Sequence, residues 1–579
     1  MKERKVQKID YSKKRLGALA DQFYNEGNYL SALRFAYKEL DLYGGDAEVY
    51  ARLTDIYEGM GLHGTAVNWW FRFLDIAEEA DLPDIYEGLA VSFLNLGNES
   101  QSAYYYNKLI DVDDSLPDET KLDIAAAFST AKKERFHFVY PPRLADYTKE
   151  IHYGSRALKM GDCERAIGEL SKIEKGSKDY AQAQEMIAVA HLLAGDAKAA
   201  EEVCVALLED MPNDIRTQAT LAAVYLEQGR AEESKALALR LAAQTQTESD
   251  DLYKVATVCC ENGLHEEAYQ KFCLLDTKIP FDGRMLYFKG VAAYKSGHID
   301  AAERVFSTLC TVYPDAEVAK YYLREIRAYQ EGERECAPEL IYFYHLPQEE
   351  RENRCKTLLQ IRKCAKDEAV LFGALALQEG YFRWCFDEMD GGDHDLQYLA
   401  LITAIHVRAD DFIQDILLDS DVADILKIET LRMLYERNED MEVGMVLYNI
   451  YRRLYLQSIR IGRKKRKRFI QSYAKVASKF VGFSEEHGNK LKAAAEKLYR
   501  CLEYYDALDL VDKPEDCACA IFLLSDLKEL GSNTKHIAST FDANEERVSV
   551  LLTMVLSKEM GLDKNGVQTT GELENHEID

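Results

Sequence analysis

The sequence predicts an all-α protein built as a solenoid of two-helix repeats, and three observations predict it. Glycine recurs at a fixed step. Gly161, Gly195, Gly229, Gly263 and Gly297 stand 34 residues apart, Gly27 and Gly61 keep the same step, and Gly97 follows 36 residues later. Each glycine has a small residue seven positions before it (Ala20, Thr54, Ala90, Gly154, Ala188, Ala222, Ala256, Gly290) and another five after it (Ala32, Ala66, Ser102, Ala166, Ala200, Ser234, Ala268, Ala302). Proline is scarce and apolar residues reach 47%, so most of the 579 residues should be ordered helix. A fixed period of this length is the mark of stacked units, each burying the next.

Within a unit, the glycine supplies the positive-φ turn between two helices, and the small residues let those helices approach closely. Large apolar groups recur at helical spacing: Phe23, Tyr57, Phe93 and Tyr225 on first helices, and Trp70, Tyr106, Phe272 and Phe306 on second helices. Pro212, Pro280 and Pro314 stand 17 residues after their glycines, where a second helix should stop. These residues at this spacing closely resemble the tetratricopeptide repeat family over about residues 13–335. The resemblance implies a right-handed α-solenoid whose first helices line a concave groove where ligands lie. Ala157, Cys259 and Ala293 stand where the family has aromatics, which predicts looser packing there.

In chain order, three repeats fill residues 13–112. Residues 113–146 form a connecting helix and linker that breaks the period, with Pro117 opening a helix and Pro141 and Pro142 ending the segment. Five repeats and a capping helix occupy 147–335. The period is then lost. Residues 336–511 read as a helical region, HEAT-like around 420–434, with helices continuing from about 441 and a basic segment at 452–479. Residues 512–560 read as a small helical bundle, and the polar, acidic tail 561–579 as disordered.

The net charge of −28 argues against general nucleic-acid binding. Residues 452–479 hold eleven Lys or Arg and no carboxylate, which leaves about −39 for the rest of the chain. The charged N-terminus carries no secretory signal, and the apolar runs are too short to span a bilayer. Thirteen cysteines without a framework point to a reducing compartment. The chain therefore reads as soluble and cytoplasmic. No nucleophile elbow, glycine-rich phosphate loop or metal-ligand spacing calls for catalysis, a metal or a cofactor, and Cys517 and Cys519 read as structural thiols.

Three candidate sites remain. The family's groove, mapped by spacing onto repeats four to eight, carries Ile151, Leu158, Glu185, Val189, Leu192, Leu193, Arg216, Leu226, Tyr253, Arg284, Tyr287, Val291 and Tyr294. An apolar floor with tyrosines and a few charges suits an extended peptide or an amphipathic helix. The carboxylate clamp of chaperone-binding relatives needs an asparagine one position after the small first-helix residue. Asp21, Asp55, Val91, Ser155, Val189, Ala223, Thr257 and Val291 stand there instead.

The second candidate is the run Arg463, Lys464, Lys465, Arg466, Lys467 and Arg468, followed by the apolar face Phe469, Tyr473, Val476 and Phe480. Six cations at a helix N-terminus oppose the helix dipole and call for an anion: nucleic acid, phosphate, acidic lipid or the chain's own acidic repeats. The third is a helix-turn-helix-like pattern at 534–552, with Asp542 where glycine is usual and Glu545 and Glu546 opening its second helix. The sequence reads as a non-enzymatic scaffold or adaptor for a protein partner. The alternative is a regulator touching nucleic acid through 463–468 or 534–552.

Overall fold

The computed structural model describes residues 11–113, 115–129, 147–387, 393–479, 485–525 and 534–560. Most of the linker 130–146, the tail 561–579 and Phe480 lie outside the described residues. The chain divides into two compact units, residues 1–128 with 352–386 and 392–579, and residues 129–351 with 387–391.

The N-terminal repeats pair α1 (Lys13–Asn25) with α2 (Tyr29–Tyr43), α3 (Ala47–Gly59) with α4 (His63–Ile76), and α5 (Leu82–Asn95) with α6 (Glu99–Val112), before α7 (Asp118–Ser129). The second unit pairs α8 (Thr148–Lys159) with α9 (Cys163–Leu170), α10 (Tyr180–Leu193) with α11 (Ala197–Asp210), and α12 (Ile215–Glu227) with α13 (Ala231–Ala243). It continues with α14 (Ser249–Glu261) and α15 (His265–Asp276), α16 (Gly283–Lys295) and α17 (Ile299–Val312), and ends its stack on α18 (Glu317–Gln330).

All eight periodic glycines take φ between 68° and 86°, and a Cβ at each would meet nothing within 4 Å. Conformation, not space, selects glycine there. Asn28, Asn98, Asp162 and Asp196 directly follow their glycines, and each accepts a hydrogen bond from the N–H three residues on, capping a second helix as the first ends. The seam residues Ala188, Ala200, Ala222, Ala256, Ala268 and Ala302 are fully buried. At Gly154 and Gly290 a Cβ would stand 2.5 Å from Leu170 Cγ and 2.8 Å from Phe306 Cε2, so only hydrogen fits beneath those side chains. Ala157, Cys259 and Ala293 are all buried. The fourth repeat departs from the period: α9 stops after eight residues, and turns through Gly176 (φ 95°) carry the chain to α10.

The chain goes on through α19 (Gln348–Ile361), α20 (Lys366–Gln378), α21 (Tyr381–Trp384), α22 (His394–Val407), α23 (Asp410–Leu418) and α24 (Asp424–Glu436). Helix was expected from 441. Instead β1 (Met441–Leu447) and β2 (Ile450–Leu456) form an antiparallel hairpin, with Leu447 opposite Ile450. Its two turn residues, Tyr448 and Asn449, take φ of 52° and 60°, the sign that a twist-matched two-residue turn requires. Val443, Met445, Val446 and Leu447 are buried, and Arg452 and Arg453 of the basic segment are strand residues.

This hairpin packs on the N-terminal repeats. Tyr451 donates to Asp75 Oδ1 at 2.8 Å, Tyr105 to the Asn449 carbonyl at 2.8 Å, and Arg453 reaches the Asp75 carbonyl. Leu418 and Val446 join Trp70, Phe71, Phe93 and Tyr105 in one apolar cluster. Beside it, Asn68 Oδ1 accepts from both the N–H and the hydroxyl of Ser420. Burial works against the Asp415 carboxylate, but Arg72 and Arg383 on either side hold it below the usual carboxylate range.

The unit closes with α25 (Arg466–Lys479), α26 (Glu485–Tyr504), a short 3₁₀ turn (Leu508–Asp512), α27 (Pro514–Leu524), α28 (Thr534–Thr540) and α29 (Glu545–Glu559). Phe469, Tyr473 and Val476 of α25 share one core with Leu498 and Leu502 of α26, Ile521 of α27 and Val548 and Leu551 of α29. The bundle therefore begins at α25, well before residue 512.

Replacing Ala200 or Ala268 with leucine should overpack a seam in which both alanines are fully buried. The expected loss is about 1–3 kcal/mol in urea unfolding. Unchanged midpoints would show that these seams are not close-packed.

Candidate functional site

The expected groove residues lie on, or at the ends of, the first helices of the second unit. Ile151, Glu185, Val189, Leu192, Arg216, Leu226, Tyr253 and Tyr294 are half-buried and Arg284 is exposed. Part of each apolar surface is spent inside the stack: Ile151 packs against Leu170, Ile173 and Ile187, and Leu158 against Ala157 and Ala166. The charged members pair across repeats. Lys254 meets Glu185, while Arg216 holds Asp250 at 2.9 Å and Asp251 at 3.2 Å.

Tyr287 and Val291 differ from the expectation of a ligand-facing surface, for both are fully buried. The chain itself covers this part of the face. Residues 340–346 form an irregular segment between Pro338 and Pro347, bent at 342–344, where the His345 N–H donates to the Phe343 carbonyl at 2.8 Å. Leu340, Tyr344 and Leu346 are buried while Ile341 and Phe343 are 38% and 50% exposed, so alternate side chains turn inward. The inward tyrosines and the backbone are held by named partners. Tyr287 donates to the carbonyls of Ile341 and Phe343, both at 3.0 Å, and Tyr322 donates to the His345 carbonyl at 2.9 Å. The Tyr344 ring meets the Tyr287 ring edge-on at 4.8 Å, and its hydroxyl donates to Asp387 Oδ1 at 3.0 Å. Asp387 also accepts the Val318 N–H at 2.8 Å, at the start of α18.

Tyr342 packs on Phe288 and lies 2.9 Å from His265 Nδ1 through its hydroxyl. Burial and the neighbouring Lys295 ammonium hold His265 below its usual pKa, so the ring is neutral near pH 7 and Nδ1 can accept from Tyr342. The strap was missed in the sequence, although Leu340, Tyr342, Tyr344 and Leu346 show a period of two between two prolines in an otherwise helical chain.

The repeat geometry has a counterpart in known proteins. A tetratricopeptide repeat family model matches residues 191–256, from the end of α10 into α14. The matched residues lie among eight helical pairs, each turned by a positive-φ glycine, so the chain carries tetratricopeptide repeats there. No curated protein sequence matches it. Solved structures similar to it include the TPR2AB domain of yeast Sti1 in a pHSP90 complex, at 15% identity and TM-score 0.20, covering 46% of this chain and 98% of that one. The APC/C hetero-tetramer Cut9–Hcn1 matches at 14% identity and TM-score 0.22 over 94% and 96% of the two chains. Yeast Tom70 matches at 14% identity and TM-score 0.19 over 96% and 98%. TM-scores of this size carry no argument about arrangement or partner.

The structure divides the basic run of this repeat protein. Lys465 (φ 50°) lies 3.0 Å from Asp512 and 3.4 Å from Asp509, and Arg468 donates to the Asp512 carbonyl at 3.3 Å. Farther along α25, Lys475 pairs with Glu515 and the Lys479 ammonium lies 5.0 Å over the Phe541 ring. These anions belong to the local bundle. Arg463, Lys464, Arg466 and Lys467 are exposed.

The segment 534–552 does form two helices around a left-handed Asp542 (φ 54°), with Ile537, Ala538, Phe541, Val548 and Leu551 buried. The cations of α29 are engaged within the bundle. Arg547 pairs with Asp516, and Lys558 donates to the Arg500 carbonyl. Cys517 and Cys519 are buried, and desolvation pushes both thiols up to about 12. Among the described residues no group of three or more His, Cys, Asp or Glu could hold a metal ion, and no helix is long and apolar enough to cross a membrane.

Tyr287→Phe should cost about 1 kcal/mol by removing the hydroxyl that bridges two strap carbonyls. Tyr287→Ala should cost about 3–5 kcal/mol and open the strap to protease between Pro338 and Pro347. Unchanged stability and protection in Tyr287→Ala would mean that the strap is not anchored there.

Proposed function

We propose that the chain is a non-enzymatic scaffold that binds a peptide of a protein partner along the first-helix face of repeats four to seven. One observation carries this reading: the first helices beyond them already hold a non-helical segment of the chain. There the strap inserts alternate side chains and offers its carbonyls to tyrosine hydroxyls. A non-helical backbone is thus compatible with this surface, and such a mode gives affinity through the main chain and specificity through alternate pockets.

Upstream of the strap, Val189, Leu192 and Leu226 remain half-buried, beside the paired charges of Glu185 and Arg216. The Arg216–Asp250 pair is exposed and contributes little to stability, so it can be exchanged for a ligand's charges at small cost. Tetratricopeptide repeat solenoids generally serve as platforms for protein contact and not as catalysts, which fits a site built from leucines, tyrosines and mutually paired charges.

A photo-crosslinking residue placed at Val189 or Leu192 should trap a protein in cells of the native host, whereas one at the exposed Lys198 on α11 should not. With that partner purified, Leu192→Ala combined with Leu226→Ala should weaken binding by about 2 kcal/mol, roughly thirtyfold. Equal adducts from Lys198 would move the binding surface off the first-helix face.

A further inference from the structure

Arg460, Arg466 and Arg500 meet around one cleft, between the linker after β2 and the C-terminal part of α26. It has a volume of about 510 Å³, within the size range of small-molecule sites, and Glu503 is the one carboxylate among its lining residues. Its wall is fixed by bonds that need no ligand. The Ser458 N–H donates to Asp440, the Ile459 N–H to Asn438 Oδ1 at 2.9 Å, and the Arg460 N–H to Glu496 Oε1 at 2.8 Å. The Tyr499 hydroxyl donates to the Lys464 carbonyl at 2.6 Å, tying the basic turn to α26. At Gly462 a Cβ would stand 2.9 Å from Glu503 Oε1, so the backbone itself forms part of the wall.

The charges of this region are treated unequally. Lys465 and Arg468, which face the bundle, are matched by Asp509 and Asp512. Among the described residues the guanidinium groups of Arg460 and Arg466 make no ion pair, and Arg500 has only an exposed contact with Glu496 at 3.3 Å. A chain with a net charge of −28 has carboxylates in abundance, yet it lines the cleft of these three arginines with one, Glu503, and sets Glu496 beside Arg500 at its edge. Like charges held together on a fixed wall repel, and an anion in the cleft relieves that repulsion. The planar guanidinium fork matches phosphate oxygens two at a time.

We propose that this cleft binds a small phosphorylated molecule, its phosphate held by Arg460 and Arg466 with Arg500 at the rim. The test uses the full chain, titrated calorimetrically and melted with sodium pyrophosphate against sodium chloride of equal ionic strength. Sedimentation with phosphatidylcholine vesicles, with and without phosphatidylinositol phosphate, runs in parallel. Pyrophosphate should bind and raise the melting midpoint, and Arg460→Gln with Arg466→Gln should weaken binding on the order of tenfold or more. Lys465→Gln with Arg468→Gln, which removes cations already paired, should leave the affinity within about twofold. Circular dichroism confirms that both variants fold.

Binding of phosphoinositide vesicles alone, lost in the Arg460 and Arg466 variant, supports the site with a lipid headgroup as the source of the phosphate. No binding of either probe overturns the proposal, as does equal loss in the Lys465 and Arg468 variant. Salt-sensitive binding of duplex DNA or RNA without any pyrophosphate binding overturns it too, for the arginines would then read a polymer backbone.

Discussion

A pair of short helices cannot bury its own apolar stripe, and each part of this structure can be understood by what covers the stripe that the preceding pair leaves open. Inside the second unit the answer is the next pair, brought close by the fully buried alanines of the seam. After α18 no further pair follows. The chain supplies instead the irregular segment 340–346, whose buried Tyr344 packs on Tyr287 and whose Leu340 and Leu346 are also buried. In the other unit the answer comes from far along the sequence. The second and third repeats are covered by α23 and the β-hairpin, whose Leu418 and Val446 enter the same cluster as Trp70 and Phe93. A repeat array, a strap and a hairpin are three solutions to one requirement.

Polar groups make each cover specific. Apolar contact alone would let the hairpin slide on α4, but Asp75 takes the Tyr451 hydroxyl and the Gln414 amide while Asn68 takes both donors of Ser420. These bonds exist in one register only. The strap is fixed in the same manner by Tyr287 and Tyr322 at its carbonyls and by Asp387 at the Tyr344 hydroxyl. Desolvation raises the pKa of Asp387, while the Val318 N–H and the Tyr344 hydroxyl favour its charged form. A carboxylate at the start of α18 also complements the positive end of the helix dipole there, so one side chain ties the strap to the cap of the stack.

The repeats were legible because their signal is local and recurs. A glycine at positive φ, an asparagine or aspartate cap beside it and two small seam residues each need nothing beyond their own repeat. What the sequence hid depends on partners distant in the chain. Nothing near Asn68 announces Ser420, and nothing near Asp75 announces Tyr451. The hairpin was hidden for a second reason: its turn is Tyr448 and Asn449, not an Asn-Gly pair, so neither residue advertises its left-handed backbone. The exposure expected of Tyr287 and Val291 was misjudged because the covering strap lies more than 40 residues downstream and carries no helical period.

The strap also bears on what the open part of the face can read. Tyr322 and Tyr287 stand 35 residues apart on successive first helices, and each donates its hydroxyl to a strap carbonyl. Stepping back by 34 from Tyr287 gives Tyr253, Ala219, Glu185 and Ile151. At Tyr253 the same kind of donor recurs beside Phe288, at 6.4 Å between ring centroids. Ala219 is buried and offers no surface, Glu185 offers an acceptor in place of a donor, and Ile151 offers only apolar surface. On the proposed reading, a partner peptide meets a hydroxyl near Tyr253 and a carboxylate at Glu185 that can receive an amide or a cation once Lys254 yields it. On that same reading the face would select a different segment here from the one that the tyrosines of the strap site hold, because a donor gives way to an acceptor along it.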